Sequence, residues 1–126
     1  MDYSKLSDFE IDKAVANALG IDYDIAIMFV SPVDKINGNH VEEYVRKKIT
    51  SNEKHWKRFS PTRIPNDAWS IIVGNEISLI SRCANGEWKA QLHLGREDIF
   101  DSYASCWDKN PLRAAMIVFL MMQEAK

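Results

Sequence analysis

The sequence lacks the features that would place the protein in a membrane or an oxidising compartment. Its longest uninterrupted apolar run, Ala114 to Met122, has nine residues, whereas a membrane-spanning helix needs roughly twenty. There are only two cysteines, Cys83 and Cys106, which stand in neither a CxxC nor a zinc-type spacing, and no signal peptide precedes the first predicted helix. We therefore expect a cytoplasmic protein in which both thiols are free.

Motifs of the common enzyme classes are also missing. Without GxSxG, GxxxxGK[ST] or GxGxxG, the sequence does not support a nucleophile-elbow hydrolase, a P-loop enzyme or a dinucleotide-binding fold. The three histidines, His40, His55 and His93, show no HxxxH or HExxH spacing, so we expect no metal and no cofactor. A cysteine nucleophile beside a histidine remains an enzymatic alternative, although small buried thiols are far commoner.

Length and charge are those of an ordinary globular domain. The chain has 126 residues and a formal net charge of -2, which gives no overall attraction to nucleic acid or anionic membrane. We find no repeats, no low-complexity segment and no linker, and we predict one domain spanning residues 1–126.

The C-terminal segment is the part around which we expect the fold to be organised. Asn110 can cap a helix and Pro111 fits its first turn. From Leu112 to Met122 only Arg113 is not apolar, and a helix that is hydrophobic on all sides must be covered on nearly every side. The sequence therefore predicts a buried helix over residues 111–124.

Three further helices are predicted from caps and apolar periodicity. The first spans residues 7–19, between the capping box formed by Ser7 and Glu10 and a left-handed stop at Gly20. The second, over residues 40–50, is a surface helix with oppositely charged residues at i, i+4 spacing. The third covers residues 67–74. The predicted apolar faces consist of Ile11, Val15, Ala18 and Leu19 in the first, Val41, Tyr44, Val45 and Ile49 in the second, and Ala68, Trp69, Ile72 and Val73 in the third.

A β-hairpin is predicted over residues 77–94 because Asn85-Gly86 is flanked by alternating apolar residues. With these as the two loop residues, Leu79 lies opposite Leu92 and Cys83 opposite Trp88, and the apolar side chains share one face. Residues 102–107 are a candidate third strand. Residues 25–30 form either a strand buried on both faces or a bridging segment, and residues 51–65 form a solvated loop.

These elements predict an α+β layer fold. The small antiparallel sheet needs cover on its apolar face, and we expect the C-terminal helix to supply it, with the first and third helices packed alongside. If these elements do not cover the C-terminal helix fully, its remaining apolar surface would favour a homodimer.

The start of the last helix is a candidate site for a small anionic ligand. Its free N–H groups and Arg113 could bind a phosphate or carboxylate, and an indole ring could stack on a planar ligand. The residues of this hypothesis are Trp69, Trp88, Asn110 and Arg113. In the alternative, the two tryptophans are core residues and Arg113 pairs with an upstream acid. The candidate acids are Glu97, Asp98, Asp101 and Asp108.

The basic region 46–63 is a candidate nucleic-acid-binding segment, since cations alternating with aromatic rings can follow a phosphate backbone and stack on bases. Its candidate residues are Arg46, Lys47, Lys54, Trp56, Lys57, Arg58 and Arg63. The alternative is that the first cations end a helix where they favour its dipole, and that the loop is simply solvated.

Three stretches of the chain resemble the lambdoid phage NinX family. They read MDYSKLSDFEIDKAVANALG at the start, PNDAWSIIVGNEISLI in the middle and NPLRAAMIVFLMMQE at the end, and they cover about half of the chain. The resemblance implies a short phage or prophage accessory protein in the cytoplasm of a bacterial host. The resemblance implies this biological setting but no biochemical activity.

Within that context we expect a non-enzymatic protein that binds a host or phage protein or a small anionic ligand, in a regulatory or counter-defence role. A small enzyme or sequestering protein acting on a nucleotide is the first alternative. A nucleic-acid-binding module that uses the basic region is the second.

Overall fold

The computed structural model describes residues 2–29, 31–38, 41–48, 55–81, 84–97 and 100–125. Within these ranges the chain alternates helices and antiparallel strands, which confirms the predicted α+β class. The elements, in chain order, are α1 (Asp8–Leu19), β1 (Tyr23–Phe29), α2 (Pro32–Asn37), β2 (Val41–Lys48), β3 (Trp56–Arg58), α3 (Pro65–Gly74), β4 (Ser78–Ile80), β5 (Trp88–Glu97), β6 (Phe100–Asp108) and α4 (Pro111–Ala125). The strands form two sheets, ordered β1-β2-β3 and β4-β5-β6. No described helix is long and apolar enough to cross a membrane.

Helix α4 is the centre of the molecule, as predicted. Asn110 caps it, because its Oδ1 accepts the N–H of Leu112 at 3.0 Å. Every residue from Ala114 to Leu120 is buried. The helix contacts β5 and β6 of the second sheet and the helices α1 and α3. Most of its apolar surface is therefore covered inside the monomer, so the condition under which this helix would favour a homodimer is not met from Ala114 to Leu120.

Helix α1 begins and ends where the sequence predicts. Ser7 and Glu10 form the capping box, and Gly20 adopts the left-handed conformation with φ 68°. The buried side differs from the predicted one, since Ile11, Val15 and Ala16 are buried while Ala18 and Leu19 are exposed. The helix packs on α4 and β2, and this contact ends before its last turn.

Helix α3 confirms the predicted third helix but presents a different face. Its buried apolar residues are Ala68, Ile71 and Ile72. Trp69 is 67% exposed, and Val73 is also exposed, so the predicted apolar face was wrong for these two residues. Among the described elements, α4 is the main neighbour of this helix. A short helix with one main neighbour buries only a narrow stripe of its surface.

The second sheet contains the predicted hairpin and the predicted third strand, with a different register. Leu79 lies opposite Ala90 instead of Leu92, so the predicted pairing was wrong by two residues. Asn85 and Gly86 both have positive φ, as predicted for a tight turn, but β4 already ends at Ile80, and a longer connection allows the offset. Since side chains alternate with period two, the shift leaves the same residues on the face toward α4. Cys83, predicted to lie opposite Trp88, is outside the described residues.

The first sheet is the part of the structure that differs most from the prediction. Residues 41–48 form strand β2 and not the predicted second helix, while His40, Ile49 and Thr50, at the ends of the predicted helix, lie outside the described residues. Oppositely charged residues four positions apart share a face of a strand as well as of a helix, because four is a multiple of the strand period. Val41, Tyr44 and Val45 are β-branched or aromatic and suit a strand, and β2 pairs with β1 along seven positions.

Two other predictions for this region were wrong in part. Residues 23–29 do form a strand, but it is not buried on both faces, since Ile27 is 59% exposed. The segment predicted as a solvated loop contains β3, and after it Phe59, Ser60, Pro61 and Thr62 are buried. Helix α2 was not predicted.

Candidate functional site

Arg113 is bound by other parts of its own chain. Its Nε donates to Asp108 Oδ2 at 3.1 Å and its Nη1 to Asp8 Oδ1 at 2.8 Å. Its Nη2 donates to the carbonyl oxygens of Ser4 at 3.1 Å and Leu6 at 2.7 Å. The side chain is only 14% exposed. A guanidinium has five N–H donors, so most of its capacity is used in joining the N-terminal segment to the start of α4.

The neighbouring turn is held by two buried carboxylates. Asp12 accepts hydrogen bonds from the hydroxyl of Ser60 at 2.6 Å and from the N–H and hydroxyl of Thr62 at 3.0 and 2.9 Å. Asp67 accepts the N–H of Ser60 at 3.0 Å. Asn110 completes the connection, because its Nδ2 donates to the carbonyl oxygen of Thr62 at 2.7 Å. Burial raises the pKa of Asp12.

These contacts locate the residues of the predicted anionic-ligand site. Asn110 and Arg113 lie together, since Asn110 Oδ1 also accepts the N–H of Arg113 at 3.4 Å. Trp88 is half-buried and pairs in register with Asp108, which binds Arg113. Trp69 lies on the exposed side of α3. Of the four acids proposed as partners of Arg113, Asp108 is one that binds it, and the partner missed from sequence is Asp8. Ligand binding at this place stays a prediction.

A second candidate site lies on the first sheet, where β2 and β3 run side by side. Arg46 pairs in register with Arg58, and Lys48 pairs with Trp56. Residues at alternate positions share a face, so Tyr44, Arg46, Trp56 and Arg58 lie on the same side of the sheet. We call these four residues the cationic-aromatic face. Together with Met28 they line a hollow of about 330 Å³.

The arginines of this face stack on its rings. The guanidinium carbon of Arg46 lies 4.8 Å from the ring centroid of Trp56, and that of Arg58 lies 5.5 Å from the ring centroid of Tyr44. Arg46 also donates to Asp24 Oδ2 at 3.0 Å, and this contact lowers the pKa of Asp24. Among the described residues, no carboxylate lies within ion-pair distance of Arg58. The cation on Arg58 is therefore not neutralised within that part of the chain.

The structure brings together some of the residues predicted to bind nucleic acid and separates others. Arg46, Trp56 and Arg58 converge on one face. Lys47 lies on the other side of the sheet, with its Nζ 5.5 Å from the ring centroid of Phe59, and Lys57 pairs with it in register. Arg63 is bound to Glu42 and Asp8, and Lys54 lies outside the described residues.

Sequence reasoning missed two residues of this hollow, Met28 and Tyr44. The alternation of Tyr44 and Arg46 along a strand would have indicated that they share a face. The predicted helix over residues 40–50 hides this signal, because residues two positions apart lie on different faces of a helix.

The cysteine and histidine residues do not form a metal-binding cluster in the part of the chain that the structure describes. No group of three or more His, Cys, Asp or Glu residues there could hold a metal ion. Cys106 is half-buried, and burial raises the pKa of its thiol to about 11. His93 contacts Tyr103, with ring centroids 5.1 Å apart. Cys83 and His40 lie outside the described residues.

The raised pKa of Cys106 predicts low thiol reactivity. In a Cys83→Ser variant, we expect Cys106 to react with iodoacetamide at pH 8 roughly a hundredfold more slowly than a small free thiol, because little thiolate is present. The rate is measured by mass spectrometry, and a sample unfolded in urea serves as the control for complete reaction. A rate equal to that of the free thiol in the folded protein would contradict this prediction.

Comparison with known proteins gives one finding about identity. Among proteins of curated function, none matches the chain. The model of one protein family, described as bacteriophage P22 NinX, matches residues 2–123. Because this match covers nearly the whole chain, the protein belongs to the phage P22 NinX family.

Proposed function

We propose that this phage accessory protein acts by binding single-stranded nucleic acid through its cationic-aromatic face. The observation that carries the proposal is the alternation of two arginines and two aromatic rings on one open side of the first sheet, around a hollow of about 330 Å³. Single-stranded nucleic acid is bound by such surfaces, since bases stack on aromatic rings and guanidinium planes while cations follow the phosphates.

The local charge supports this choice although the whole chain carries a net charge of -2. Glu42 lies on the same side of β2 as Arg46, but its Oε1 is bound by Arg63 Nη1 at 2.9 Å. Asp24 is bound by Arg46. Asp22, whose carbonyl oxygen accepts the N–H of Lys48 at 3.2 Å, also lies at this end of the sheet. Among the described residues on this face, Arg46, Lys48 and Arg58 still outnumber Asp22 and Asp24, and we expect the phosphates to pass there.

The geometry of Arg113 favours this function over binding of a small anion at α4. A guanidinium that already binds two carboxylates and two carbonyl oxygens has little capacity left for a ligand. A regulatory or counter-defence role would follow from competition for single-stranded phage or host nucleic acid, and that role is part of the proposal.

The proposal is tested by fluorescence anisotropy with a labelled single-stranded thymidine oligonucleotide. We expect Trp56→Ala and Arg58→Ala each to weaken binding by about tenfold or more, since stacking on an aromatic ring contributes about 1–3 kcal/mol per base. Arg58→Ala should also reduce the slope of log affinity against log salt by about 0.7, the contribution of one phosphate contact to a single strand. Trp56→Ala should leave the slope unchanged.

The second sheet offers a matched control. Lys89 Nζ lies 5.2 Å from the ring centroid of Trp107, so Lys89→Ala and Trp107→Ala remove a similar cation and ring elsewhere on the surface. These variants should bind like the parent protein. Absence of salt-dependent binding, or equal losses from both pairs of variants, would overturn the proposal.

A further inference from the structure

The outer edge of β1 offers backbone hydrogen-bonding groups in a regular row. Strand β1 lies at the end of the first sheet and pairs with β2 along its whole length on the other side. Val45 accepts the N–H of Phe59 at 2.8 Å, so its backbone groups point toward β3. The residues opposite odd positions of β2, among them Ile25 and Ile27, therefore point their N–H and C=O groups away from β2. Among the described residues, no strand pairs with this edge.

Among the described residues, this edge has few of the features by which natural proteins prevent strand pairing. Tyr23–Phe29 contains no proline and no lysine, and its pairing with β2 shows no bulge. The single charged residue is Asp24, whose Oδ2 is bound by Arg46 and whose Oδ1 accepts the N–H of Ile25 at 2.8 Å. The outward N–H of Ile25 therefore already has an acceptor, Asp24 Oδ1, which a carbonyl oxygen of a pairing strand would have to replace.

The strand sequence is self-complementary about Ala26. In an antiparallel pair centred there, Ile25 lies opposite Ile27 of a second copy, and Tyr23 lies opposite Phe29. All four side chains are on one face, so the pair joins apolar to apolar and ring to ring. Asp24 lies opposite Met28, and the two Asp24 residues are not opposite each other. This register is also the one that pairs every outward-pointing residue of the strand.

The apolar surface beside the edge is exposed in the monomer. Ile25 and Val41 are exposed on the same face as Ile27. Helix α2, which follows β1 and contacts it, exposes Val33 and Ile36, the latter by 85%. A monomer rarely leaves such residues together at the surface without a partner.

We propose that two copies of this chain associate through their β1 strands, antiparallel and centred on Ala26, to form one continuous sheet of six strands. A two-fold axis perpendicular to the sheet places the cationic-aromatic faces of both copies on the same side. The dimer does not depend on the proposed function, because its contacts involve β1 and α2 only. Since one pair of short strands forms a small interface, we expect a dissociation constant in the micromolar range.

Sedimentation velocity of the full chain over a wide range of concentration tests the dimer. We expect the parent protein to shift from monomer to dimer as concentration rises. Ile27→Lys, which places a charge on an exposed side chain at the edge, should keep the protein monomeric. Val73→Lys, a similar change on the exposed side of α3, should leave the dimer intact. Thermal melting of both variants checks that they fold.

Crosslinking tests the register. Ala26 of one copy lies beside Ala26 of the other in the proposed pairing, at a distance that a disulfide can span. Ala26→Cys should therefore form a covalent dimer under mild oxidation, whereas Ala18→Cys, on the exposed side of α1, should not. A monomer at all concentrations, a dimer that Ile27→Lys leaves unchanged, or equal crosslinking of the two cysteine variants would overturn the proposal.

Discussion

Replacing Arg113 by alanine is expected to lower the free energy of unfolding by about 3 kcal/mol. The guanidinium joins three separate parts of the chain, namely the N-terminal segment, the end of β6 and the start of α4. Its removal leaves Asp8 and Asp108 without this cation and the carbonyl oxygens of Ser4 and Leu6 without this donor. Urea denaturation followed by circular dichroism measures the change.

The matched control is Arg46→Ala. Within the described ranges, Arg46 has one ion pair, with Asp24, at a more exposed position, and exposed pairs contribute less than about 1 kcal/mol. We therefore expect a small effect from this variant. If Arg113→Ala were equally mild, the guanidinium would not be needed for folding, and the predicted anionic-ligand site at α4 would become the better explanation of its position.

The second large effect is expected from Asp12→Ala, which should lower the free energy of unfolding by about 3 kcal/mol. Asp12 is buried and accepts hydrogen bonds from Ser60 and from both donors of Thr62. Without the carboxylate these donors are buried and unpaired, and each such group costs about 1–3 kcal/mol. Asp12→Asn is the milder comparison, because its amide oxygen still accepts.

The same carboxylate predicts a dependence of stability on pH. Burial raises the pKa of Asp12 in the folded protein above its ordinary value of 3.8, so the native state binds a proton more readily than the unfolded state. Protonation of this group therefore favours folding, and its contribution is largest below pH 3.8 and is lost as pH rises through the raised pKa. The unfolding free energy of the parent minus that of Asp12→Asn should fall over this range. A difference that rises with pH would contradict the prediction.

The two elements predicted most accurately have local signals at their ends. For α1, the capping box and Gly20 lie within the helix or one residue from it, and such signals need no information about distant parts of the chain. For α4, Asn110 marks the start, and a composition that is apolar on every side already implies burial.

The pattern in residues 41–48 could not distinguish a helix from a strand. Charged pairs four residues apart and a one-sided apolar set agree with both periods over so short a segment. Residues 41–48 form a strand because they pair with β1. The two strands are separated in the sequence by α2, so a short window of sequence does not contain both. The cationic-aromatic face was missed for the same reason, because Arg46 and Trp56 share a face only when both belong to strands.

The amino-acid sequence alone determined the α+β class, the ends of α1 and α4 and the burial of α4, because these depend on caps and composition within a few residues. The register of the hairpin, the exposed side of α3 and the partners of Arg113 depend on long-range packing. Asp8 and Arg113 are 105 positions apart, and only the folded chain brings them together. The arrangement of cations on β2 and β3 has the same origin, since strand pairing places residues from separate segments side by side.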